Sequence, residues 1–244
     1  MTIDSGPFIP GWLPSPPDYR DYQLRARLPS ILLRATPVSV APLTAGLAIG
    51  DQGNLGSCTA WASGRGFRYA DKQDTVDFDV SELAQYFNAR VESGLPTNQD
   101  VGAYNRGAAS ALSRFGMGRE IDWPYNIARF ALQPSQQTYD YAKGHKAIEY
   151  ISVPNDIETM KQVIAAGFPI VIGFTVYQNY QQGLLTGDWP MPGGQAVGGH
   201  AVLVDGYEPG QWLIANSWGT SVGKQGRFRM PCQYLPQNGG DFWT

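Results

Sequence analysis

Cys58 lies in the stretch "DQGNLGSCTAWA" (51–62) and is one of only two cysteines among 244 residues. A thiol attacks a carbonyl only as thiolate, and at a free pKa of about 8.5 it is mostly protonated at neutral pH. A helix N-terminus and a nearby imidazole both favour the thiolate. Cys58 meets the first condition by position: Gly53, Gly56 and Ser57 give a tight approach, and the pattern from Cys58 to about Ala70 reads as a helix. The Cys58 backbone N–H then points at a developing oxyanion, and the Gln52 side-chain amide can donate a second hydrogen bond. Two histidines are candidates for the base. His145, in "AKGHKAIEY", reads as a surface residue, whereas His200 follows "GQAVGG" and opens an apolar strand, a loop-to-strand edge suited to presenting a side chain. Asn216, at the end of the next strand, can accept from one ring nitrogen of His200 and fix its tautomer. Trp218 can lie over that bond and keep water from it. Singly, each has a structural reading: a buried inert thiol, a strand-edge histidine, an Asn-Ser-Trp-Gly turn. Their joint occurrence in the order Gln, Cys, His, Asn favours chemistry.

The elements that must position these residues change character along the chain. Eight of the 18 prolines fall within the first 42 residues and forbid regular helix over most of that stretch, so residues 1 to about 42 are expected to be extended. Phe8, Ile9, Trp12, Leu13, Tyr19, Tyr22, Ile31, Leu32 and Leu33 make it more apolar than a solvated linker, which favours docking on the body of the protein. Gly64 and Gly66 inside the helix after Cys58 mark close packing, as in a buried central helix. Ser81 caps a second helix through Leu83, Tyr86, Phe87 and Val91, and a third is expected over about 102–115. Asn155 and Glu158 form a capping box for a short helix ended by Gly167. Then strands dominate: 169–177, 200–208, 211–218 and 226–230, joined by "KAIEYISV" at 146–153. A helix-rich first half and strand-rich second half predict an α+β fold of two lobes with a cleft between them.

With a net charge of −3 and 16% charged residues there is no basic field to hold a nucleic-acid backbone, and no apolar run approaches the roughly 18 to 20 residues that cross a bilayer. No nucleic acid, membrane, metal or cofactor is expected. Neither a basic n-region nor an apolar h-region marks the N-terminus, and Cys58 and Cys232 allow one disulfide at most. A cytoplasmic setting with both thiols reduced follows by default, with signal-independent export left open. Cys232 reads as a buried thiol.

"QGNLGSC" (52–58), "GGHAVLVDGYE" (198–208) and "NSWGTSVGKQGRFRM" (216–230) resemble the papain family of cysteine peptidases, with His200 and Asn216 following Cys58 by 142 and 158 residues. "DWPY" (122–125) and "GFPIVIGFTV" (167–176) also fall where the family has comparable segments, so the resemblance spans about 48–235. It implies a papain-like fold with a helical lobe over about 52–140 and an antiparallel β lobe over about 145–235. These form a catalytic domain (43–244) behind a proline-rich segment (1–42). It further implies a cysteine endopeptidase acting through a thioester on protein or peptide substrates. Cys58 is then the nucleophile, His200 the general base and acid, Asn216 the orienter, Gln52 with the Cys58 N–H the oxyanion hole, and Trp218 an indole shield. Gly102, in "DVGAY", stands where the family pairs with substrate backbone. Gly198 and Gly199 border the pocket for the second residue before the scissile bond, with room for a bulky apolar side chain. Leu55 replaces a usual cysteine and Thr59 a usual aromatic, and the usual disulfides are missing, as in a bacterial branch adapted to a reducing compartment. By analogy with zymogens of the family, the N-terminal segment is expected to cover part of the cleft as an intramolecular ligand. An acyltransferase or amidase of the same chemistry, or a pseudoenzyme that only binds peptides, are the competing readings.

Overall fold

From residue 9 proline and glycine keep the chain out of regular helix, and it makes one two-residue strand, β1 (Trp12–Leu13), before a single helical turn, α1 (Leu24–Arg27). That turn departs from the expected extended run. It forms in a proline-free stretch and buries Leu24 completely. The structure, a computed structural model, describes residues 9–19, 21, 23–27, 30–31, 35–72 and 77–244. Phe8, Tyr22, Leu32 and Leu33, named above, and Pro7 and Pro29 among the eight early prolines lie outside the described residues.

The helical lobe follows. Helix α2 (Cys58–Asp71) buries residues around most of its first two turns, as a helix with neighbours on several sides must. Helix α3 (Glu82–Glu92) starts where expected, with the Ser81 hydroxyl accepting from the Ala84 N–H at 3.2 Å. A short strand, β2 (Ala103–Tyr104), precedes α4 (Asn105–Arg114), and α5 (Gln136–Ala142) closes the lobe around Leu55, Leu83, Tyr86, Ala108 and Trp123.

The second lobe opens with α6 (Ile157–Ala165), whose cap is Asp156 rather than the expected Asn155. Asp156 Oδ1 accepts from Thr159 N–H at 2.8 Å, while the Asn155 amide is occupied by the carbonyls of Leu235 and Gly239. Strand β3 (Ile170–Tyr177), helix α7 (Gln181–Thr186), strands β4 (Ala196–Glu208), β5 (Gln211–Ala215) and β6 (Arg227–Pro231), helix α8 (Leu235–Asn238) and strand β7 (Gly239–Trp243) complete it. The strands form one antiparallel sheet in the order β6-β5-β4-β3-β7. Ile170, Ile172, Phe174, Val202, Val204, Trp212 and Phe228 pack one face against Met160, Val163 and Ile164 of α6. The fold is thus the expected α+β pair of lobes. Three strand expectations are corrected. "KAIEYISV" is no sheet strand: Ile148 is fully exposed and only Ser152 bridges, to Trp243 and to Gln23. β5 stops at Ala215, and β4 starts at Ala196, so His200 lies within a strand rather than opening one.

α2 lies between the lobes, packed on α3 and α4 on one side and on β4 on the other. In the register of the sheet Gly173 faces Ala201 and Val171 faces Leu203. Period-2 alternation therefore turns Val171, Ala201 and Leu203 toward Cys58 and Ala62 of α2, with which they cluster.

Candidate active site

Two loops meet at the N-terminus of α2. Gln52 N–H donates to the Ser217 carbonyl at 2.8 Å and Gly219 N–H to that of Gly50 at 3.0 Å, tying the loop before Cys58 to the one after β5. The Gln52 side chain, 1% exposed, is held at both ends: Oε1 accepts from Ser217 Oγ at 2.7 Å, and Nε2 donates to the Leu55 carbonyl at 2.9 Å. Nε2 carries a second hydrogen beyond the one given to Leu55.

Cys58 is fully buried, and its Sγ accepts from the backbone N–H of Ala201, the residue after His200, at 3.4 Å. The His200 ring lies 2.7 Å through Nε2 from Asn216 Oδ1. That oxygen also accepts from the Ser217 N–H at 2.8 Å, so it is an acceptor, Nε2 bears the proton, and Nδ1 is the basic nitrogen of the neutral ring. Trp218 stacks on the imidazole at 4.6 Å between centroids, with Tyr180 and Trp189 packed beyond it. Of the residues selected from sequence, Gln52 and Asn216 are joined through Ser217, Asn216 holds His200 under Trp218, and Cys58 meets the same strand at Ala201 N–H. His145 does not join them. It is half-buried against Tyr141 and Phe78 with Nδ1 3.2 Å from Asp71, which corrects its reading as a surface residue. Cys232 is a buried free thiol, and Cys58 is free as well.

The N-terminal segment crosses this site. Gly11 N–H donates to the Gly199 carbonyl at 3.1 Å, Ala103 N–H donates to the Gly11 carbonyl at 2.9 Å, and β1 pairs in parallel with β2. The fit demands glycines: a Cβ on Gly11 would stand 2.3 Å from the Gly56 carbonyl oxygen and 2.9 Å from Cys58 Sγ, and one on Gly102 (φ 75°) 2.4 Å from the Gly11 oxygen. Gly102 and Gly199 thus both touch the segment, whereas Gly198 makes no hydrogen bond to it among the described residues. From there Asp21 pairs with Arg106 of α4 in the helical lobe, and the chain meets the β lobe through Leu24 N–H to the Ser152 carbonyl and Val40 paired with Tyr207. Burial pushes the Cys58 thiol up to about 12, outweighing the N–H groups of Ala201 and Thr59 that favour the thiolate. Burial also takes His200 down to about 4, against the opposing bond to Asn216. Both shifts favour an uncharged thiol and imidazole while the segment is in place.

Two residues at the site carry no sequence signal. Asp100 accepts from the Gly56 N–H at 3.1 and 3.0 Å and from the Tyr86 hydroxyl, a non-covalent clamp on the loop beside buried Leu55. Asp241 anchors the N-terminal segment through Ser15 and Trp12.

Residues 44–235 match the family model described as Papain family cysteine protease. The chain belongs to the papain family of cysteine proteases. It is 32% identical over 212 residues to an uncharacterized peptidase C1-like protein of Acanthamoeba polyphaga mimivirus, covering 79% of this chain and 68% of that protein. Against a cysteine protease of Blomia tropicalis it is 28% identical over 189 residues and spans 55% of the relative's length. Xylellain, a cysteine protease from Xylella fastidiosa, superposes with a TM-score of 0.87 at 34% identity, over 96% of this chain and 94% of that one. The papain-like fold includes no disulfide among the described residues.

Proposed function

We propose that this papain-family chain is a cysteine endopeptidase in which Cys58 is the nucleophile, His200 the base and then the acid, and Asn216 the residue that orients it. The observation that carries the reading is the 2.7 Å bond from His200 to Asn216 under Trp218, next to the strand whose Ala201 N–H reaches Cys58 Sγ. With Nε2–H committed to Asn216, Nδ1 takes the thiol proton and the thiolate attacks the substrate carbonyl carbon. The oxyanion draws on the Cys58 backbone N–H and the second Nε2 hydrogen of Gln52. His200 returns its proton to the leaving amine as the C–N bond breaks. It then takes a proton from water, whose oxygen attacks the thioester, and the C–S bond breaks to restore the thiol. The Ala103 N–H beside Gly102 and the Gly199 carbonyl, both occupied by Gly11 of the N-terminal segment, are the groups that bind substrate main chain, with Gly198 at the rim.

Residues 1 to about 42 act as the intramolecular ligand of the cleft on a catalytic domain of 43–244. Their polarity supports restraint rather than turnover. The segment passes Cys58 at Gly11 and then enters the Gly199 pocket at Trp12, whereas a substrate enters that pocket with the residue before the one at the thiol. Gly11→Leu cannot keep this path. In the full-length chain it is expected to raise kcat/KM on a fluorogenic dipeptide about tenfold or more by vacating the cleft. A lower Tm with no gain in rate would make the segment a strap that only stabilises the fold.

A further inference from the structure

The Gln52 side chain rests on a peptide group three residues further on. Its Nε2 donates to the Leu55 carbonyl at 2.9 Å, and the N–H of that same peptide unit, on Gly56, donates to both carboxylate oxygens of Asp100 at 3.1 and 3.0 Å. One planar group is gripped at its two ends, so a displacement of the Gly56 N–H is carried to the Gln52 amide. The loop itself offers little resistance. It passes through Gly53 at φ 57° and through Gly56, where a Cβ would stand 2.9 Å from the Pro10 carbonyl oxygen and 3.0 Å from Asp100 Oδ1. Asp100 also holds the opposite wall. Its Oδ1 accepts from the hydroxyl of Tyr86, a fully buried side chain of α3, and that hydroxyl accepts from the Gly102 N–H at 3.1 Å. The next residue, Ala103, is the one whose N–H binds the Gly11 carbonyl.

We infer that Asp100 is a positioning residue of the reaction: through the Leu55–Gly56 peptide it sets the Gln52 amide where the oxyanion forms, and through Tyr86 it sets the strip at Gly102 and Ala103 that binds substrate main chain. The inference rests on the peptidase reading above. Two consequences distinguish this role from ordinary bracing. The first is electrostatic: beyond burial, which dominates, the Asp100 carboxylate is among the groups that hold the Cys58 thiol up, because an anion beside a thiolate disfavours it. Removing Asp100 therefore eases formation of the thiolate while it releases the oxyanion donor. A brace with no part in the chemistry would not move those two steps in opposite directions. The second is the division of labour between the branches. Without its hydroxyl, Tyr86 leaves Gly56 bound to Asp100 but deprives the buried Gly102 N–H of its acceptor, so the loss falls on substrate binding rather than on the oxyanion.

The test compares Asp100→Ala, Asp100→Asn and Tyr86→Phe in the full-length Gly11→Leu chain on a fluorogenic dipeptide, with Tm as the control of folding. Asp100→Ala is expected to lower kcat about tenfold to a hundredfold with KM changed less than about threefold, the cost of a misplaced oxyanion donor. Alkylation of Cys58 by iodoacetamide at neutral pH, which forms no oxyanion, is expected to rise about threefold in the same variant. Asp100→Asn keeps one acceptor oxygen for Gly56 and Tyr86 but no charge. It is expected to share the faster alkylation and to lose no more than about threefold in kcat. Tyr86→Phe is expected to raise KM about fivefold with kcat held within about twofold. An unchanged kcat in Asp100→Ala, alkylation that falls as far as hydrolysis, or Asn as damaging as Ala would overturn the inference. If the Gly11→Leu chain cleaves no peptide, the peptidase reading fails, and NMR spectra of the same variants decide the clamp. The Gln52 side-chain amide signals are then expected to move in Asp100→Ala and to stay in place in Tyr86→Phe, whereas signals that do not move in Asp100→Ala sink the clamp.

Discussion

Cys58→Ala is expected to lower kcat/KM on any peptide substrate by about four orders of magnitude or more, because the route through a thioester disappears with the sulfur. Cys58 is fully buried with Ala201 N–H at 3.4 Å from its Sγ, and alanine removes one atom from the cluster it shares with Ala62 and Val171. The fold is therefore expected to survive, with Tm the control. His200→Ala is expected to cost a similar factor, and the double variant no more than either single one, since thiol and imidazole act as one unit. Additive losses would mean that the two residues do not share a step. Sequential proton transfer makes non-additivity the sharper reading, because a merely structural role for His200 would multiply with the loss of the thiol.

Gln52→Ala is expected to reduce kcat by about a hundredfold to a thousandfold with little change in KM, since an oxyanion exists only along the reaction path. Gln52 also braces its surroundings, with Oε1 on Ser217 Oγ and Nε2 on the Leu55 carbonyl. A readout that ignores the oxyanion is therefore needed. Alkylation of Cys58 by iodoacetamide displaces iodide at a saturated carbon and creates no oxyanion. Its rate is expected to fall far less than amide hydrolysis. Equal losses in both would assign Gln52 to holding the loop alone.

How much of this was legible in the sequence depended on where each residue's partners lie. Helix α3 was readable because its cap is local: Ser81 serves Ala84 three residues on. The α6 cap was read one residue early because Asn155 and Asp156 are equally good caps locally. The choice was made by Leu235 and Gly239, 80 and 84 residues away. "KAIEYISV" alternates like a strand, yet only its end meets the sheet, through backbone bonds of Ile151 and Val153 to Thr244 and Phe242 at the end of β7, whose "GGDFW" has too much glycine to read as a strand. At the site, Gln52, Cys58, His200 and Asn216 were legible because the chemistry restricts their residue types. Asp100 and Asp241 were not, since their meaning lies in donors at Gly56, Tyr86, Trp12 and Ser15 that no spacing rule connects to them. The N-terminal segment was legible as a docked apolar run, but its register over Cys58 depends on Gly11, Gly102 and Gly199 meeting in space.

The central claim is that Cys58 is a nucleophile activated by His200 and covered by residues around Gly11. Intact mass after an epoxide inactivator of cysteine peptidases tests it most directly, on the full-length chain, on Gly11→Leu, and on Gly11→Leu with His200→Ala. The expected result is a single adduct mapped to Cys58, formed faster in Gly11→Leu than in the parent and lost without His200. An adduct on Cys232 instead, none in Gly11→Leu, or one on Cys58 that persists without the imidazole would contradict it.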